Sequence, residues 1–152
     1  MKKNEIIQKI RDARLAHIKW VQRAKSLVNG FPIEKDAIPL SYDSCAFGQW
    51  FYGDGQILRA IFNEKSVNEV ENFHIELHDE YMNIFKIYFD LNKLGFFAKI
   101  FKNTKKISEY EREQVTRHLR ALEEISQKLI QRLNIMETKI NMADKEIFEK
   151  YI

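Results

Sequence analysis

Val115, Leu119, Leu122, Ser126, Leu129, Leu133, Met136 and Ile140 follow one another in alternating steps of four and three. A stripe so spaced lies along one face of a helix, and its apolar side must be buried against other helices. Ser108 with Glu111 three residues on forms a capping box that opens this helix. The same alternation runs through Val70, His74, Leu77, Tyr81, Ile84, Tyr88 and Leu91, where Ser66 and Glu69 predict the start and Leu94–Gly95 the stop. A third stripe holds Ile7, Ile10, Ala13, His17, Val21, Ala24 and Val28, and Asn29–Gly30 end it. Three long amphipathic helices predict an all-α chain folded as an antiparallel helical bundle of four-helix type. The seam of the last helix either closes that bundle or pairs with a second copy of the chain.

Between the stripes the reading is coarser. Residues 31–44 contain both prolines, Pro32 and Pro39, and read as an irregular connection. Residues 45–52 read as a short, aromatic-rich extra helix opened by Cys45 and closed by Gly53–Asp54–Gly55, and residues 56–63 as a further short helix. With only five Gly and two Pro, no strand alternation and no internal repeat, the 152 residues are expected to form a single domain, 1–152.

Composition narrows the function classes. The 25 basic and 22 acidic residues leave a net charge of +3, mixed along the chain, which argues against nucleic acid or a membrane as partner. The one basic cluster, Lys99, Lys102, Lys105 and Lys106, reads as a solvated loop. A single cysteine makes no internal disulfide. Asn4 and Glu5 stand where a signal peptide needs its apolar run, and no stretch approaches the roughly 18 apolar residues of a membrane span. The expected location is the cytoplasm.

Three of the four histidines and the only cysteine fall on apolar stripes or at a helix start. His74 and His78, four apart on one helix, can share a metal ion. His17 sits on the first stripe, where a polar ring is expensive to bury without a partner. With Cys45, three nitrogens and one sulfur make a tetrahedral set suited to zinc. Taken singly, each has a blander reading: a satisfied core histidine, or an inert buried thiol. The residues alone allow a zinc site without fixing it. His118 has no evident partner and is expected exposed or at the edge of the core.

The stretches His17-Ile-Lys-Trp20, Cys45-Ala-Phe-Gly48-Gln-Trp50 and His74-Ile-Glu-Leu-His78 stand in order. Together they resemble the chemoreceptor zinc-binding domain family, over roughly residues 14–95. The resemblance implies one zinc per chain, held by His17, Cys45, His74 and His78. It also implies a sensory role beside chemoreceptors or diguanylate cyclases, reporting zinc or oxidants such as hypochlorous acid through a reactive Cys45. This chain, without a coiled-coil signalling hairpin or a cyclase domain, reads as a free-standing version. Its output would pass through a signalling protein or its own homodimer. Trp20, Phe47 and Trp50 would wall the metal from water, with Phe51 placed in the core. Gly48 would let the backbone at the thiolate approach a facing helix.

Competing functions fail on residue placement. A zinc hydrolase of the His-Glu-x-x-His type needs Glu where Ile75 stands, and Glu76 lies about 200° round the helix from His74. The reversed motif needs Glu at Leu77. A di-iron bundle would use Glu71-x-x-His74, but no second copy exists, and a haemerythrin-like carrier needs more than four histidines. A purely structural zinc is the remaining alternative. The expectation is therefore a non-catalytic zinc sensor.

Overall fold

The computed structural model describes residues 2–32, 39–89 and 106–150. Its helices are α1 (Lys3–Val28), α2 (Ala46–Tyr52), α3 (Leu58–Ile61), α4 (Glu64–Tyr88), α5 (Glu109–Met142) and α6 (Lys145–Glu149), with a 3-10 turn over Asp54–Ile57 before α3. The described residues contain no strand, and none of their helices is long and apolar enough to cross a membrane. Of the basic cluster Lys106 is described and exposed, whereas Lys99, Lys102 and Lys105, with the Leu94–Gly95 stop, lie outside the described residues.

Helix α5 closes the bundle, packed against both α1 and α4. It runs antiparallel to α1, since Arg11 and Arg14 meet Glu137 at 2.6 and 2.7 Å while Lys25 meets Glu123 at 3.2 Å. It runs antiparallel to α4 as well, with Arg132 on Glu69 at 3.0 Å and His118 on Glu80 at 2.6 Å. Helices α1 and α4 run parallel to each other, His17 facing His74 and Trp20 facing His78 and Tyr81. Because α1 and α4 run parallel, the start of α4 lies toward the same end of the bundle as the start of α1. Such surface ion pairs are worth roughly 0–1 kcal/mol each, so they set register more than stability.

The apolar stripes supply the stability. Ile6 and Ile10 from α1, Val67, Val70 and Leu77 from α4, and Val115, Leu122, Leu129 and Ile140 from α5 are fully buried in one cluster. Burial of each large aliphatic side chain contributes about 1.5–3 kcal/mol.

Helix ends differ from the sequence reading where a better cap is present. Asn63 caps α4, its Oδ1 accepting from Ser66 N at 2.8 Å, so Ser66 lies inside the helix and does not open it. Asn63 is thereby removed from the preceding short helix, which shrinks to the 3-10 turn and α3. Helix α4 stops at Tyr88, with Phe89 extended and its ring stacked on Phe85 at 4.4 Å. The Ser108–Glu111 box is as expected, with Glu111 N donating to Ser108 Oγ at 3.1 Å. Gly30 takes a left-handed φ of +82° after α1, the conformation that glycine tolerates best. At the other end of the bundle Lys3 Nζ donates to the Asn141 and Ala143 carbonyls, both at 2.8 Å, and satisfies the last turn of α5. The break there, and the tuck of Phe148 under it in α6, had no clear signal in the sequence.

Candidate metal centre

Four side chains from three elements converge. Helix α1 brings His17, α4 brings His74 and His78 one turn apart, and Cys45 occupies the N-cap of α2. All four are buried, and one ligand atom from each lies within 4.8 Å of the others. Cys45 Sγ and His74 Nε2 are 3.3 Å apart. A tetrahedral zinc with metal–nitrogen and metal–sulfur lengths of about 2.0 and 2.3 Å sets its ligand atoms about 3.3–3.5 Å apart.

The imidazoles are oriented from behind. His17 Nδ1 donates to the Ala13 carbonyl at 2.6 Å, and His78 Nδ1 donates to the Leu40 carbonyl at 2.7 Å. A carbonyl only accepts, so in both rings Nδ1 carries the proton and Nε2 presents a lone pair. His78 Nε2 and His74 Nδ1 are buried without a hydrogen-bond partner. A buried nitrogen left so costs roughly 1–3 kcal/mol. At His78 Nε2, which the Nδ1 bond leaves with a lone pair, a bound cation would offset that cost. The residues present fit a zinc ion.

Electrostatics agree. Burial lowers His17 to about 4, against the Ala13 hydrogen bond that raises it. His74 is lowered by burial and then by the neighbouring imidazoles of His17 and His78. His78 is lowered by burial, opposed by its bond to Leu40. All three rings are therefore neutral near pH 7, the form that binds metal. Cys45 goes the other way. Burial pushes its thiol up, although the Gly48 N–H, donating to Sγ at 3.3 Å, favours thiolate. A nearby cation is what would make this sulfur a thiolate at neutral pH.

The walls are aromatic. Phe47 sets its edge against His74 and His17 with centroids 4.8 and 5.9 Å apart, and Trp20 lies 4.6 Å from His78. Trp50, buried, packs on Phe47 at 5.8 Å. Phe51 packs on Phe47 and Tyr52, away from the donors.

Gly48 has a different neighbour from the one expected. A Cβ there would lie 1.8 Å from the Tyr42 carbonyl oxygen, so the close approach is to the turn leading into Cys45 and not to a facing helix. That turn is built by Ser41, whose hydroxyl donates to Asp43 at 2.6 Å and whose carbonyl accepts from Cys45 N at 3.3 Å. Beyond Cys45 the segment is tied to α4, Tyr52 donating to Glu71 at 2.9 Å and Arg59 to Glu71 and Asn68 at 2.7 Å each. His118 stands apart from the centre, half-buried, and donates to Glu80. Sequence reasoning missed that partner, and it missed the Ala13 and Leu40 carbonyls because backbone acceptors carry no residue signal.

No curated protein and no solved structure matches the chain. Residues 17–85 match the family model of the chemoreceptor zinc-binding domain. All four donors lie inside that stretch, which is similar to this zinc-binding family.

Proposed function

We propose that His17, Cys45, His74 and His78 hold one zinc as a sensory centre, and that Cys45 is the element that responds. One observation carries this reading: Cys45 is the only donor that is not on a long helix of the bundle. It caps a seven-residue helix, so it can leave the centre while α1, α4 and α5 stay packed. Bound zinc would supply the positive charge that keeps the sulfur as thiolate. Thiolate is the form that oxidants attack. With hypochlorous acid, the Cys45 sulfur displaces hydroxide from chlorine and becomes a sulfenyl chloride. Water then replaces chloride, leaving sulfenic acid, chloride and a proton.

Four protein donors would also fill a tetrahedral shell, which leaves no open position for a substrate and argues against hydrolysis. Loss of the Cys45 ligand would pass, in the cytoplasm, to a signalling partner of the chemoreceptor or cyclic-di-GMP type, or to a second copy of the chain. Brief exposure of the zinc-loaded protein to hypochlorous acid tests the reading. Cys45 should be oxidised and zinc released before the exposed Met142 is oxidised. If Cys45 stays reduced while Met142 oxidises, zinc itself becomes the better candidate for the stimulus.

A further inference from the structure

A cavity of about 290 Å³ lies between α1 and α2, against one side of the donor cluster. Its floor contains His17 and Cys45, which are 2% and 7% exposed, whereas His74 and His78 do not line it. Its rim contains Lys9, Asp12, Ala16, Leu40 and Ala46, all exposed. The cavity therefore runs from the surface to two of the four donors.

We infer that this cavity is the path by which small uncharged solutes reach the Cys45 sulfur, with Ala16 and Ala46 setting its aperture. The inference rests on reading Cys45 as the responding thiol. The chemistry of the lining selects the solute. Lys9 and Asp12 are three apart on α1 and of opposite sign, so the rim attracts neither cations nor anions strongly. Inside, Trp20, Phe47 and Trp50 offer apolar surface, which an ion enters only at a large desolvation cost. A molecule of a few heavy atoms without net charge loses little there. A methyl group is the smallest side chain that keeps a helix surface regular, and one stands on each side of the opening, at Ala16 on α1 and Ala46 at the start of α2. A larger residue at either position would cover the opening without touching a donor. Ala→Leu on an exposed helix surface changes intrinsic helix preference only slightly.

Thiol labelling of the full chain, zinc-loaded and metal-free, tests this with methyl methanethiosulfonate as the small uncharged probe. The Cys45 thiolate attacks the sulfenyl sulfur of the reagent, forms a methyl disulfide and releases methanesulfinate. A bulky dianionic aromatic disulfide serves as the contrasting reagent. In the unsubstituted protein the small probe should react at least tenfold faster than the bulky one relative to their rates on a free thiol. Ala16→Phe and, as a second variant, Ala46→Leu should each slow the small probe at least fivefold while zinc affinity stays within twofold. Unchanged small-probe rates in both variants would overturn the inference, as would equal relative rates for the two reagents in the unsubstituted protein. Failure to take up zinc would instead sink the zinc reading, and the rates on the metal-free protein would still decide the path.

Discussion

Cys45 Sγ and His74 Nε2 lie 3.3 Å apart, although 29 residues separate them and they stand on elements of different kinds. One belongs to the cap of a short helix, the other to the middle of a long one. Helix α4 holds His74 fully buried. The Cys45 side depends on the turn at 41–44 and on the Glu71 ties beyond it. The contact therefore joins a donor in the middle of a long helix to one at the cap of a short helix that is itself anchored by the buried Phe47, Trp50 and Phe51.

Removing a donor on α4 should nearly abolish binding. His74→Ala and His78→Ala are expected to lower zinc affinity by at least about 100-fold, more than the roughly 10–100-fold typical of losing an outer partner. Competition titration with a chromophoric chelator measures this. A loss under tenfold would mean that the residue is not a ligand.

Metal-free protein should lose stability on mild acidification. The folded imidazoles titrate below their ordinary value of 6.5, His17 at about 4, so between these values the unfolded chain binds more protons than the folded one. Their contribution is complete above about pH 6.5 and is lost as pH falls toward 4. Each such proton gives a slope approaching about 1.4 kcal/mol per pH unit. Urea unfolding between pH 7 and 5.5 should show the decline, and a flat profile would contradict the buried, neutral state of these rings.

Gly48→Ala should distort the centre without altering a donor. Its Cβ would meet the Tyr42 carbonyl oxygen at 1.8 Å, a backbone atom that no rotamer change can move. The turn or α2 must shift, at about 1–3 kcal/mol. If the shift falls on Cys45, zinc affinity drops by about tenfold or more, since each 1.4 kcal/mol is tenfold. Wild-type affinity and an unchanged melting temperature together would show that the segment is looser than described.

Zinc removal should be felt locally. Backbone amides at 41–55 should exchange faster by at least tenfold in chelator, while those of α5 stay protected, because the stripes of the three long helices bury their residues independently of the donors. Uniform loss of protection would assign the metal a structural role for the whole bundle.

The long helices were legible because they depend on periodicity. The four donors became a set only through the family resemblance, with His78 marked by its spacing from His74 and Cys45 by being the sole thiol. His17 and His74 interrupt apolar stripes, so their burial followed from the burial of their neighbours. The direction of α1 against α4 was not legible, since it depends on how residues 29–63 cross between them. Helix starts were misread where two caps competed: Asn63 and Ser66 both suit the role, and only tertiary placement selected Asn63. The Ala13 and Leu40 carbonyls that orient His17 and His78 are main-chain groups, invisible to residue type. Glu80 lies in an ordinary charged stretch, and its pairing with His118 arises only from the register of α4 on α5.

The central claim is that one zinc is held by three imidazoles and the Cys45 sulfur. Zinc K-edge X-ray absorption of the zinc-loaded protein tests it most directly. The expected spectrum fits one sulfur at about 2.3 Å and three nitrogens at about 2.0–2.1 Å, and Cys45→Ser removes the sulfur shell. A zinc shell of nitrogen and oxygen alone in the unsubstituted protein would contradict the account.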